Sequence, residues 1–497
     1  MTTTLLSLPS ILALVMLAAI MPCRAEFTVV LPDSSALVDA PQNGFSNLAR
    51  TDPAEQRAVY EIMAATGNAW ATAIPDVCRG RWHGIECMPD RNDVYHVVSL
   101  SFGALSDDTA FPTCDPAHAT LSPALLHLPY LRSLFLYRCF SGDHPQPIPT
   151  FLGGLSPALR SLVLRGNGHV GPIPAELGNL TSLRVLDLHG NQLSSSIPES
   201  LQRLTHLLFL DFSYNQLSGP IPSLRNPTLN VLDLSHNFLH GQIPATFGQC
   251  DSLIKLDLSR NRLTGSIPDS LGNLASLILL DLSHNSLSGP LPTSLGKLIS
   301  LRALILNGNY MSSATIPEDG FAGLKELITL VLSNMGLQGP IPESIGGLLS
   351  LRVLHLDGNK LNGSIPQSFR RLEKLSELKL NDNRLSGPIP FSREMLWRMG
   401  SKLKVYNNSG LCYDASNGRS EGIDSMSGIS YCEPQTKKVV VGAASASISD
   451  RKTKHLSSRT NRRPPTRLSS HAPTHRSGIL RLLVPIAGLL LSVLPLL

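Results

Sequence analysis

The chain has 497 residues, of which 42% are hydrophobic, 16% are charged and 5% are aromatic. This composition excludes a globally disordered chain and predicts a core built from aliphatic side chains. The formal net charge is +5, but residues 433–481 hold 11 Lys or Arg against 2 Asp or Glu. The rest of the chain is therefore negative overall, which excludes a nucleic-acid-binding protein with a basic folded surface.

The N-terminus predicts a secretory signal peptide at residues 1–25. An apolar run from Ile11 to Ile20 is followed by Met21-Pro-Cys-Arg-Ala25, which places small residues where signal peptides are cleaved. Residues 26–50 would then form the flexible N-terminus of the mature protein. A cytosolic N-terminal helix is the alternative.

Six of the seven cysteines beyond the signal peptide form three pairs that are close in sequence. These pairs are Cys78 with Cys87, Cys114 with Cys139, and Cys412 with Cys432. In an oxidising compartment, disulfides between them would hold the ends of the folded region, although other connectivities stay open. Metal binding is the alternative, but these cysteines include no C-x-x-C pair. We expect the remaining Cys250 to be a buried, unpaired hydrophobic residue.

A short repeat fills the middle of the chain. Segments 183–191, 253–261 and 277–285 share the pattern L-x-x-L-x-L-x-x-N, which is the leucine-rich-repeat signature. The asparagine recurs at positions 167, 191, 215, 237, 261, 285, 309, 359 and 383. Cys139 and Met335 take its place in two further units.

The spacing of the repeat predicts its structure. The alternating L-x-L predicts a short strand with inward leucines, and stacked units bury those leucines in one continuous core. The asparagine amide would satisfy backbone groups of the loop that follows. Most units continue with G-x-I-P, as at residues 171–174, a variant that resembles the plant class of extracellular repeats. We therefore predict an α/β solenoid: a plant-type leucine-rich-repeat horseshoe with parallel strands on its concave face and disulfide-stapled N- and C-terminal caps.

Both ends of the array resemble the caps of that class. Asp52, Pro53 and Glu55 predict a helix start, and Cys78–Cys87 resembles the C-x-W-x-G-V-x-C cap motif. The predicted domains are a helical N-terminal cap at 51–95, a solenoid of about 10–12 repeats at 96–408, a C-terminal cap at 409–432, a basic disordered stalk at 433–477 and a hydrophobic membrane-anchoring tail at 478–497.

The C-terminal region and three sequons predict a secreted, membrane-attached protein. Residues 482–497 are almost continuously apolar, but a spanning helix needs about 20 residues, so a short tail anchor and a glycolipid-attachment signal both stay open. The stalk is expected to be a solvated spacer; binding to acidic wall polymers or lipid head groups is the alternative. Sequons predict N-glycosylation at Asn179, Asn362 and Asn407.

The predicted strand face is the candidate binding surface. One position between the inward leucines holds, in successive units, Asp187, Asp211, Asp233, Asp257, Asp281, Ile305, Val331, His355 and Lys379. Neighbouring strands lie about 4.8 Å apart, so the five carboxylates would form a repelling ladder that a basic partner relieves. The alternative is that the aspartates only form sideways hydrogen bonds. We find no motif for catalysis and no cofactor or metal signature.

Longer segments resemble plant receptor-like proteins of stomatal patterning. They are residues 50–60, 94–114, 135–139, 378–383 and 397–399, together with the Asn-Asn-Ser-Gly-Leu-Cys end of the array. The resemblance implies a kinase-less protein of the plasma membrane that faces the cell exterior. It also implies ERECTA-family leucine-rich-repeat receptor kinases and secreted epidermal patterning factor-type peptides as partners. A secreted inhibitor of a cell-wall hydrolase and a wall or adhesion scaffold are the alternatives.

Overall fold

The computed structural model describes residues 50–80, 83–103, 111–115, 117–140, 145–311, 314–413 and 432. The predicted signal peptide, stalk and tail, and most of the predicted C-terminal cap, lie outside these residues. Within the described part of the chain, no helix is both long enough and apolar enough to cross a bilayer.

The core of the fold is a sheet of 15 strands, to which almost every repeat contributes one parallel strand. The strands in sheet order are Arg50–Thr51, Val94–Phe102, Ser133–Tyr137, Ser161–Arg165, Val185–Asp187, Phe209–Asp211, Val231–Asp233, Lys255–Asp257, Leu279–Asp281, Ala303–Ile305, Thr329–Val331, Val353–His355, Glu377–Lys379 and Leu403–Lys404. Ile85–Pro89 pairs antiparallel with Val94–Phe102. This is the predicted solenoid with its parallel strands on one face.

The leucines of the repeat point inward, as the alternation predicts. Leu256 and Leu258 of one repeat are 0% exposed, and so are Leu280 and Leu282 of the next. The same positions in neighbouring repeats stack into one continuous apolar core. No single repeat could bury these side chains alone, so each depends on its neighbours.

Stacking leaves backbone groups at the end of each strand, and the recurring asparagine satisfies them. Asn261 Nδ2 donates to the carbonyl oxygens of Leu234 and Leu258 at 2.9 and 3.1 Å, and its Oδ1 accepts from Leu239 N at 3.0 Å. Each amide thus bridges its own repeat and the preceding one. Where Met335 replaces asparagine, its backbone N–H still donates to Asn359 Oδ1 at 3.0 Å.

The segments that follow the main strands, most of which run into G-x-I-P, form three short parallel ladders beside the main sheet. Their strands are Val170–Pro172 and Gln192–Ser194; Ser218–Pro220, Phe238–Gly241, Arg262–Gly265 and Ser286–Leu287; and Gln338–Pro340, Lys360–Gly363, Arg384–Pro388 and Gly410–Cys412. Gly265 in one of them has a φ of +78°, and a Cβ there would lie 3.0 Å from Gln242 Cγ. The position therefore favours glycine.

Short 3₁₀ helices, not α-helices, return the chain in most repeats. They are Pro123–His127, Thr150–Gly154, Ala175–Asn179, Glu199–Arg203, Ala245–Gln249, Asp269–Asn273, Thr293–Lys297, Glu343–Gly347 and Gln367–Arg371. Each buries one large apolar residue, such as Leu271. The tight turn suits a repeat of this length, which leaves few residues for the return segment.

The two α-helices belong to the ends of the array. Helix α1, Pro53–Ala65, begins at Asp52, whose carboxylate accepts from Ala54 N and Glu55 N. Glu55 does not reach back to the cap: its oxygens contact His96 Nδ1 and Val97 N, both at 2.7 Å, which ties the helix to the first long strand.

Helix α2, Arg393–Met399, lies at the other end of the array and buries Met395, Leu396 and Met399. Two further 3₁₀ helices, Ala69–Ala73 and Gly400–Lys402, accompany these caps.

Three disulfides lie at the same two ends. The structure joins Cys78 to Cys87, Cys114 to Cys139, and Cys412 to Cys432, with Cα separations of 5.7, 4.9 and 4.8 Å. Cys139 takes the asparagine position of its repeat, and its N–H donates to Asn167 Oδ1 at 2.7 Å. Cys250 is buried and free. The fold is thus a capped solenoid.

The asparagine bridge generates a prediction about stability. Asn261→Ala leaves the two carbonyls and the Leu239 N–H without their amide partner, and should lower the free energy of unfolding by about 1–3 kcal/mol. Urea unfolding followed by circular dichroism measures the loss. Asn273→Ala, at an exposed asparagine of the next 3₁₀ helix, is the control and should be nearly neutral. Equal losses in both variants would contradict the role of the bridge.

Candidate ligand-binding face

All nine residues of the candidate surface lie in one row. Asp187, Asp211, Asp233, Asp257 and Asp281 are directly paired along the sheet. The row continues from Asp281 through Ile305, Val331, His355 and Lys379. We call these nine residues the central row. Their contact with a ligand stays a prediction.

The five aspartates of the central row are buried or only partly exposed to solvent. Asp187, Asp211 and Asp233 are 5%, 6% and 7% exposed, whereas Asp257 and Asp281 are partly exposed. Each carboxylate accepts from the backbone N–H two residues further on, at 2.9 to 3.1 Å. Three also accept from the serine hydroxyl at that position. The predicted sideways hydrogen bonds are therefore present.

Two cations lie among the carboxylates, and the sequence interpretation missed them. Arg165 Nη1 lies 2.8 Å from Asp187 Oδ2 and 3.7 Å from Asp211 Oδ2. Lys255 Nζ lies 2.7 Å from Asp233 Oδ2 and 3.9 Å from Asp257 Oδ2. The chain thus supplies its own counter-charges to four of the five carboxylates, and contact of the row with a basic partner stays a prediction.

Protonation relieves the remaining repulsion. Burial, with the neighbouring carboxylates of Asp233 and Asp187, raises the pKa of Asp211 to about 8. Burial and the adjacent Asp233 and Asp281 likewise raise the pKa of Asp257 well above its usual value. Burial alone would raise the pKa of Asp233 too, but Lys255 outweighs it and holds that pKa below the usual range. The ionised Asp233 thus lies between two carboxyl groups that retain protons more strongly.

The other half of the central row is also internally paired. His355 Nε2 lies 2.8 Å from Glu377 Oε1, and Lys379 Nζ lies 3.2 Å from the same oxygen. The hydrogen bond from His355 and the charge of Lys379 lower the pKa of Glu377 to about 2, although burial opposes the shift. His355, Glu377 and Lys379 therefore form a three-residue charge cluster at this end of the row. Ile305 and Val331 separate it from the aspartates.

The missed residues all lie two positions away from the central-row level along their strands. Lys255 and Glu377 each precede a central-row residue by two, so the strand period of two places them on the same face. Arg165 lies on the neighbouring strand, two residues beyond Val163, which pairs with Asp187. Reading three positions per strand instead of one would have found all three side chains.

Aromatic and imidazole rings line one edge of this face. The rings of Tyr214 and His236 stack with centroids 3.9 Å apart, and His189 lies 5.3 Å from Tyr214. Burial, with help from the nearby Arg165, lowers the pKa of His189 to about 4. Burial and Arg260 do the same for His236. Both rings are therefore neutral at mildly acidic and neutral pH. Among the described residues, no cluster of His, Cys, Asp and Glu is arranged to hold a metal ion.

The fold and the repeat define a leucine-rich-repeat protein. The leucine rich repeat family model matches residues 157–217, 227–287, 255–311 and 325–385. Protein TOO MANY MOUTHS of Arabidopsis thaliana is 62% identical over 175 residues, which are 34% of this chain and 35% of that relative. The resemblance to this plant receptor-like protein, indicated by the sequence motifs, is confirmed, although the match spans only about a third of the relative's length.

Solved receptor ectodomains have the same architecture. The plant peptide hormone receptor RGFR1 in complex with RGF2 is 33% identical, with a TM-score of 0.53 over 59% of this chain and 50% of that one. The leucine-rich-repeat ectodomain of the membrane receptor kinase GASSHO1/SCHENGEN3 from Arabidopsis thaliana, in complex with CASPARIAN STRIP INTEGRITY FACTOR 2, is 29% identical. Its TM-score is 0.59 over 76% of this chain and 47% of that one. The chain thus spans about half of each.

The raised pKa of Asp211 generates a prediction about pH. The folded chain holds this proton up to about pH 8, whereas an unfolded aspartate loses it near pH ~3.9. The folded state then binds more protons, so the free energy of unfolding falls as pH rises between these values. Asp211→Asn should flatten that fall and stabilise the protein at pH 8 by about 1 kcal/mol or more.

Urea unfolding from pH 5 to pH 9 measures this difference. The matched control is Asp251→Asn, at an exposed aspartate of the neighbouring repeat, which should leave the slope unchanged. A profile for Asp211→Asn that runs parallel to that of the parent would show that Asp211 is already ionised in the folded protein.

Proposed function

We propose that the chain is a kinase-less cell-surface receptor-like protein that pairs with leucine-rich-repeat receptor kinases. In stomatal patterning it would modulate their recognition of secreted cysteine-rich peptides. The observation that carries the proposal is the 62% identity to Protein TOO MANY MOUTHS. Because the resemblance is to receptor-like proteins of this kind, the proposed partners are ERECTA-family kinases and epidermal patterning factor-type peptides.

The central row supports a role in binding. Its most exposed carboxyl groups are those of Asp257 and Asp281, although burial raises the pKa of both. Asp281 accepts from Ser283 N at 2.9 Å and pairs along the sheet with Ile305, which is 9% exposed, so an acidic group borders an apolar one at this point. A peptide that presents a basic side chain beside an apolar one fits this junction. A capped solenoid loses little conformational entropy on binding, which favours recognition of this kind.

A chain without its own enzymatic activity would act through differential binding. It changes the ligand preference of the partner kinase by favouring one peptide complex over another. Attachment through the apolar residues 478–497 would keep it beside that kinase. The proposed glycosylation sites Asn179, Asn362 and Asn407 are exposed and do not belong to the central row.

The proposal predicts that one aspartate of the row matters more than another. Asp281→Asn should weaken binding of an epidermal patterning factor-type peptide roughly tenfold, because a charge-assisted contact is lost. Isothermal titration measures peptide binding to the full chain, with and without an ERECTA-family ectodomain. Asp211→Asn is the matched control: it makes the same change in the same row at a buried, protonated position, and should bind as the parent does.

Three results would contradict the proposal. Unchanged affinity in Asp281→Asn would remove the junction from the binding site. If the peptide binds equally with and without the kinase ectodomain, and the two ectodomains do not co-purify, the receptor pairing is wrong. Recovery of the chain free in wall fluid as an inhibitor of a wall hydrolase would favour the secreted-inhibitor alternative.

A further inference from the structure

A column of arginines lies at the start of three consecutive repeat strands. Arg160 N donates to Arg132 O, and Arg184 N donates to Arg160 O, each at 2.7 Å. These bonds fix the three residues side by side at the strand spacing of about 4.8 Å. Arg132, Arg160 and Arg184 form what we call the arginine column. On each strand, the arginine precedes the level of the central row by three residues, so the column lies at the rim of the sheet.

The arginine column is exposed and has no counter-charge. All three side chains are exposed, and none of them forms an ion pair within the part of the chain that the structure describes. Arg132 Nη1 contacts the sulfur of Met88 at 3.5 Å. In the central row, by contrast, nearby cations pair with some carboxylates, and burial raises the pKa of others so that they keep their protons. Three adjacent, unpaired guanidinium groups are therefore poised for an external anion.

An aromatic platform adjoins this column. Tyr130 and Met88 are each 47% exposed, and Leu208, the next residue after Arg184 in the same ladder, is 37% exposed. The Tyr130 ring packs on His96 with centroids 4.1 Å apart, which holds it in place while much of the ring stays accessible. The charged column is thus bordered by apolar groups at both ends.

We propose that the arginine column and Tyr130 bind a linear polyuronide, an acidic polysaccharide with one carboxylate on each sugar ring. Guanidinium groups bind carboxylates through paired hydrogen bonds, and an exposed aromatic ring stacks on the apolar face of a sugar. The exposed Tyr130 ring favours this occupant over an acidic peptide, because the ring can stack on the apolar face of a sugar while the arginines bind the carboxylates of the polymer.

The test compares two double variants of the full-length chain. Arg160→Gln/Arg184→Gln removes two charges from the column. The control, Arg225→Gln/Arg352→Gln, removes two exposed arginines elsewhere, Arg352 being at the same strand position in a later repeat. Binding of oligogalacturonides is measured by titration at two salt concentrations, with fully methyl-esterified oligomers and poly-L-glutamate as comparison ligands. Circular dichroism checks that both variants fold.

We expect the column variant to bind oligogalacturonides roughly tenfold more weakly than the parent, with a smaller dependence on salt. The control variant should bind as the parent does, and the esterified oligomers should not bind. The basic residues 433–481 are present in every variant, so a loss of binding found only in the column variant is not due to them. Equal losses in both variants would assign binding to overall charge. Unchanged binding in the column variant, or binding of poly-L-glutamate as tight and as sensitive to the column, would overturn the proposal.

Discussion

The structure depends on the hydrogen-bonded stacking of one strand from each repeat. A leucine repeat cannot bury its own apolar face, and the strand that it forms leaves polar groups where the chain turns away. Asn261 shows how both problems are solved together, because its amide bonds to carbonyls of two successive repeats and accepts an N–H from the earlier one. The first and last repeats each lack one neighbour, and the helices α1 and α2 with three disulfides take its place.

The same stacking forces equivalent side chains of successive repeats into contact. Where those side chains carry like charges, the protein must relieve their repulsion. Along the central row it does so with Arg165 and Lys255 and by retaining protons, most clearly on Asp211. At the later strands a single carboxylate, Glu377, serves both His355 and Lys379. Among the described residues, the arginine column at the rim has neither a counter-ion nor a change of protonation that would relieve the repulsion between its charges. In this it differs from the central row.

Periodicity explains which features could be predicted from the sequence. The inward leucines, the asparagine bridges and the nine positions of the central row each recur at one register, so alignment of the repeats places them correctly. The charges that decide the electrostatics do not recur. Lys255 and Glu377 occur once each at positions where the other repeats of the row carry Val, Phe, Leu, Ala or Thr, so a consensus sequence does not contain them. The partners of Glu55 could not be predicted for a related reason: the helix start to which it belongs is a local pattern and is confirmed, whereas His96 and Val97 lie far along the chain.

These differences in hydrogen bonding and charge are the basis of the two proposed binding sites. A carboxylate that already accepts a backbone N–H, a hydroxyl and a cation, as Asp233 does, offers little to a ligand and would lose existing bonds on binding one. Groups with spare hydrogen-bonding capacity lie at two other places: the junction of Asp281 with Ile305, and the rim at Arg132, Arg160 and Arg184. The two are opposite in charge and lie in different repeats, so the two proposed sites call for ligands of opposite charge: a basic, partly apolar ligand at the junction and an anionic polymer at the rim.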